Sequence, residues 1–191
     1  MDVSGVSFFV EYKAIITIFH VLSVVIGMGA AFATDILFVF FASNRTLSSI
    51  EISVIRFLSK IVTIALGVII LTGIGMFLSD TEKYLNSAKF LTKMTVIVIL
   101  CVNGALLHFY VFRHLSDKNY LTSAKSFFTR RISFALGAIS TVSWVTALSL
   151  GVLDRITIPY TYAVSIYILF LALGILISQI IVLLLNTKTK R

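Results

Sequence analysis

Five predominantly apolar runs, at residues 13–42, 54–78, 90–112, 131–153 and 160–185, are separated by short polar segments. Each run has the roughly 20 residues that an α-helix needs to cross a hydrocarbon core about 30 Å thick. The separators SNRTLSSIE, SDTEKYLNSAK, RHLSDKNYLTSAKSFFTRR and DRITIP are turn and loop material. Pro159, the sole proline, precedes the fifth run and fits the first turn of a helix. The runs are too long for β-barrel strands and show no alternation of apolar and polar positions. The pattern predicts an all-α integral membrane bundle of five transmembrane helices, forming a single domain over 1–191.

Composition agrees: 59% of the residues are hydrophobic, only 13% are charged, and the mean hydropathy is +1.05, far outside the soluble globular range. No segment is left over to fold as a soluble catalytic domain. The first run is read as a helix rather than a signal peptide. Asp2, Glu11 and Lys13 precede it in place of a basic cluster, and it stays apolar past the Ala31, Phe32, Ala33 triplet. Cys101 is the only cysteine, so no internal disulfide forms.

The net charge of +8 excludes nucleic acid as the partner once its placement is considered, because basic loops are what the cytoplasmic ends of membrane helices carry. Arg45, Arg56, Lys60, Arg113, Lys118, Lys125, Arg130, Arg131, Lys188, Lys190 and Arg191 fall on one side. Lys13, Lys83, Lys89, Lys93 and Arg155 fall on the other. The asymmetry predicts the N-terminus outside and the C-terminus in the cytoplasm.

Two ionisable residues interrupt the first run and two the third. At about 1.5 Å rise per residue, His20 lies roughly 12 Å and Lys93 roughly 14 Å to the outer side of the midplane; Asp35 and His108 lie roughly 10 and 9 Å to the inner side. Lys60 joins the inner level from the second run, and Gln179 approaches it from the fifth. His20 to Asp35 and Lys93 to His108 are each 15 residues apart, which leaves the two side chains of each pair about 60° apart on a helix. Gly27, Ala31 and Thr34 share the first stripe and Gly104 the second, so the two stripes are expected to face each other across a close helix contact.

A polar group facing lipid is costly, about 2.5–3.5 kcal/mol for a charge at the bilayer centre, so these residues are expected to face the bundle interior. Structural readings stand beside the functional ones. Lys93, Lys60 and Arg56 have stems long enough to snorkel to the headgroups. Asp35 does not, and its expected partner is Lys60 or His108. Asp35, Lys60 and His108 form either a proton relay or a structural polar cluster. His20 is either a hydrogen-bonded core imidazole or an axial haem ligand. Met28, Met76, Met94 and Cys101 are scattered without a copper-binding spacing and read as packing residues. Tyr12, Tyr84, Tyr110, Tyr160 and Tyr162 fall near predicted helix ends, where aromatic belts form.

YKAIITIFHVLSVV, followed by LFVFF, resembles the opening helix of the bacterial membrane protoporphyrinogen oxidases. KFLTKMTVIVILCVNGALLH is similar to the helix of that family in which a lysine precedes an aliphatic run, a glycine and a histidine. The general pattern also resembles the copper-resistance D type of small polytopic membrane protein. The resemblance implies haem b held by His20 and Lys93, with both residues as ligands of the haem iron. It covers two helices of five. The family's Pro-Arg pair before Leu-Phe-Val stands here as Asp35 and Ile36, so a shared scaffold is implied more than porphyrin oxidation itself.

The expectation is therefore a polytopic protein of the bacterial inner membrane that binds haem b between the first and third helices. Its work would be electron transfer or oxidation of a hydrophobic substrate, as a haem-dependent membrane oxidoreductase. Its partners would be the lipid bilayer, a redox partner or hydrophobic small molecule, and further copies of itself in a homo-oligomer. Two alternatives stand beside it: a proton- or ion-coupled transporter or channel, and a non-catalytic membrane subunit.

Overall fold

Ser48 and Glu51 close a capping box: the Glu51 amide donates to Ser48 Oγ at 3.2 Å and the Ser48 amide donates to Glu51 Oε2 at 2.7 Å. In this computed structural model, which describes residues 8–42, 48–111, 124–154 and 156–188, the box starts the second long helix at Ser49, five residues before the apolar run suggests. The polar first turn belongs to the helix because its orphan amides are satisfied there, whatever its hydropathy.

The long helices are α1 (Lys13–Ala42), α2 (Ser49–Ser79), α3 (Ala88–Leu106, continued by a π-helical turn, Leu107–Val111), α4 (Ala124–Val152) and α5 (Tyr160–Lys188). All five are long and apolar enough to cross a membrane. Among the described residues there is no strand. Asp80 ends α2 and caps a short helix, Thr81–Leu85, by accepting from the Lys83 amide. Ser87 then caps α3 through the Phe90 amide. Pro159 immediately precedes α5, and its carbonyl accepts from the Ala163 amide at 3.1 Å. Of the residues that carry the orientation argument, Arg45, Arg113, Lys118, Arg155, Lys190 and Arg191 lie outside the described residues, as does His114.

Burial is inverted relative to a water-soluble protein. Ile50, Leu71, Phe109 and Val152 are each more than 70% exposed, whereas Thr92, Asn103, Ser140, Ser143 and Ser178 are buried. Only a hydrocarbon solvent makes that arrangement favourable, and the chain is a polytopic membrane protein.

The helices form two units. α1 packs along α2; α3, α4 and α5 pack on one another; and α1 on α4 joins the two sets. Gly27 allows the joint. A Cβ there would stand 2.7 Å from Trp144 Cη2 on α4 and 3.0 Å from Ala65 Cβ on α2, too close for any side chain. The small-residue stripe of α1 thus faces α2 and α4 and not α3, correcting the sequence expectation. Neither α1 nor α2 packs along α3. A Cβ at Gly104 would meet nothing within 4 Å, so that glycine opens space where close approach was expected. At the end of the bundle predicted to face outward, the rings of Phe77 and Phe90 stack at 5.5 Å, bridging α2 to α3.

Candidate functional site

His20 lies half-buried on α1 and faces α2, with its Nδ1 2.9 Å from Thr72 Oγ1. The Thr72 hydroxyl has one proton, and Val68 O lies 2.6 Å from it. The Ile69 carbonyl is a further acceptor for the ring. Assigning the ring proton to Nδ1 satisfies both contacts: the imidazole donates to Thr72, Thr72 donates to Val68, and two hydrogen bonds form where the other tautomer gives one. Nε2 then carries the lone pair. Gly73 leaves the flank of the ring open, since a Cβ there would sit 3.9 Å from His20 Cε1.

Lys93 on α3 is half-buried and lies within electrostatic range of the His20 ring. Among the described residues its Nζ has no hydrogen-bond or ion-pair partner. Its neighbour Lys89, one turn away, donates instead to the Leu153 and Asp154 carbonyls. An imidazole on α1 and an amine on α3 thus stand within electrostatic range of each other.

The inner group is not one cluster. Asp35 accepts a 2.9 Å hydrogen bond from Thr141 Oγ1 on α4 and lines a cavity of about 320 Å³ between α1, α4 and α5. Lys60 and His108 line a different, larger cavity of about 1040 Å³, between α2 and α3. The expected Asp35 pairing with Lys60 or His108 is replaced by Thr141. Depth along the normal is legible in sequence, but a helix has several neighbours, and which one a residue meets depends on packing that no single helix encodes. Gln179 does not join the level either: it accepts from Arg131 Nε at 2.7 Å and donates to the Arg131 carbonyl at 3.1 Å, fastening α4 to α5.

The larger cavity has residues that sequence reasoning passed over. Asn103 donates through Nδ2 to the Leu136 carbonyl at 3.1 Å, which ties α3 to α4. Among the described residues its Oδ1, like Trp144 Nε1, is buried without a partner, and both residues line the cavity. Such orphans are rare and each requires an explanation. Asn103 was legible in principle as a lone amide at midspan; Thr72 and Thr141 were not, because hydroxyls that back-bond to their own helix are ordinary in membrane spans.

Among the described residues no three His, Cys, Asp or Glu side chains converge to hold a bare metal ion. A haem asks less of the protein, since its porphyrin occupies the iron's equatorial positions and leaves one or two axial ligands to side chains. The donor chemistry of His20 and Lys93 fits that requirement: an imidazole whose second nitrogen is already committed, and an amine with no competing acceptor. Neither residue lines the two cavities just described. Compared with protein-family models, with curated proteins and with solved structures, the chain matches none.

Proposed function

We propose that this protein binds haem b between His20 on α1 and Lys93 on α3 and serves membrane electron transfer or the oxidation of a hydrophobic substrate. His20 is the axial ligand through Nε2, and Lys93 in its neutral form is the second. The observation that carries this reading is the His20 to Thr72 to Val68 chain, which supplies the outer hydrogen bond that metal-binding histidines use to fix their tautomer and ring orientation. Bound haem supplies one-electron chemistry. The chain's own part is to ligate, to orient the imidazole from α2, and to keep water out with the packed Val24, Met28, Ile69 and Val96 side chains one to two turns deeper. With the orientation drawn from the Lys and Arg asymmetry, the site lies toward the outer face of the membrane.

Haem retention tests this. Protein purified in detergent from haem-replete cells is expected to carry haem in the wild type and in His108→Ala, and to lose it in His20→Ala. Equal retention in His20→Ala and wild type would remove His20 from the site.

A further inference from the structure

The 320 Å³ cavity around Asp35 is lined by Thr34, Ser133, Thr141 and Ser178, with Phe38, Phe134, Ile55 and Val111 among its apolar walls. Among the described residues of that lining, Asp35 alone is a charged side chain. Among the described residues no cation pairs with it; its polar partner is Thr141.

All four hydroxyl protons are already committed. Thr34 donates to the Ala30 carbonyl at 2.7 Å, Ser133 to the Thr129 carbonyl at 2.9 Å, Ser178 to the Ile175 carbonyl at 2.7 Å, and Thr141 to Asp35 itself. Main-chain amides in the lining are held by helical hydrogen bonds. With Asp35 ionised, the described residues of the lining offer a carboxylate and hydroxyl lone pairs but no proton donor. An anion or a bare carbonyl would be desolvated there with nothing to receive it. A group that brings its own N–H donors and a positive charge would be received by the Asp35 carboxylate and by hydroxyl lone pairs beside it.

Size and lining narrow the class further. A volume near 300 Å³ is at the lower end of small-molecule pockets. A lone metal ion would leave most of it empty against Phe, Ile and Val side chains. The rings of Phe38 and Phe134 meet edge to face at 5.7 Å, and aromatic faces attract cations in dry surroundings. Gly137 preserves access to the acid, because a Cβ there would crowd Asp35 Oδ1 at 3.3 Å.

We propose that this cavity binds a small lipophilic amine as its protonated, N–H-bearing ammonium ion, paired with Asp35. The site is separate from His20 and Lys93, neither of which lines this cavity, and does not depend on haem being bound.

Equilibrium dialysis of the full chain in neutral-lipid nanodiscs, against empty discs, tests it with 2-(2-naphthyl)ethylamine and 2-naphthylacetate, which share a ring and differ in charge. Saturable binding of the amine and none of the acetate is expected. Asp35→Asn, a near-isosteric change, should weaken the amine by about tenfold or more. Should that variant not fold, Thr34→Val, which removes one wall acceptor, should weaken it by about threefold. Absence of saturable amine binding, equal binding of both probes, or unchanged affinity in the folded variant would overturn the proposal.

Discussion

His20 Nδ1 and Thr72 Oγ1 stand 2.9 Å apart across the α1/α2 interface, and the Thr72 proton is directed back at Val68 of its own helix. With the ring proton assigned to Nδ1, one hydroxyl holds the imidazole and the Nε2 lone pair is left over.

Thr72→Val keeps the shape and removes this acceptor. The Nδ1 proton would keep only the Ile69 carbonyl, and the change should cost about 1 kcal/mol of stability. Because Nδ1–H donation makes the opposite nitrogen a stronger ligand, the variant should also hold haem more weakly than wild type. Thermal unfolding and haem dissociation, measured on the same preparation, check both effects.

Trp144 is the chain's single tryptophan and is 1% exposed, so its fluorescence reports on the α1/α4 joint. Gly27→Leu would drive a side chain into the indole, since even a Cβ at that position would stand only 2.7 Å from the ring, and overpacking of this kind costs about 1–3 kcal/mol. A red-shifted emission and a lower unfolding temperature are expected. An unchanged spectrum would mean that the joint is not packed as described.

At the Asp35 end, two substitutions should rank in a definite order. Thr141→Val leaves the carboxylate without its observed donor and should cost about 1–3 kcal/mol. Asp35→Asn preserves an acceptor for Thr141 while removing the charge, and should be the milder change. Unfolding in detergent of the two single variants and the double variant separates the terms, with the double expected to be less stable than Asp35→Asn by about the 1 kcal/mol of a neutral hydrogen bond.

Tyr84, in the short helix outside the spans, is half-buried, and its phenol is pushed above the ordinary value of 10.0, first by desolvation and then by the negative charge of Asp80. The folded state therefore favours the protonated phenol. Stability from this source is fully present below the unfolded-state value and is lost as pH rises from there through the higher folded-state value. Tyr84 also tilts against Phe90 with centroids 5.1 Å apart, so ionisation should loosen the start of α3. In ultraviolet titration, wild type and Tyr84→Phe should differ by one late-ionising tyrosine.

The five spans are legible in the sequence because hydropathy acts locally: lipid demands about 20 apolar residues whatever their neighbours are. The second helix starts early because Ser48 and Glu51 satisfy its end by hydrogen bonding, a signal that hydropathy does not register. Spacing along each helix is legible too, since rise per residue is fixed, and Lys93 is near enough to the His20 ring to act on it electrostatically. Azimuth is less so. The spacing of His20, Gly27 and Asp35 defines one face of α1, but that broad face is shared between Thr72 on α2, Trp144 between the units and Thr141 on α4. Which neighbour takes which residue follows from how helices from distant parts of the chain pack, and a pattern within one helix carries no record of it.

The most direct test of the account is the absorption spectrum of the oxidised protein, purified in detergent from haem-replete cells, beside His20→Ala and Lys93→Leu. The account predicts a Soret band of a six-coordinate low-spin haem in the wild type, conversion to a five-coordinate high-spin form in Lys93→Leu, and no band in His20→Ala. A folded, monodisperse wild-type protein without a Soret band would contradict it.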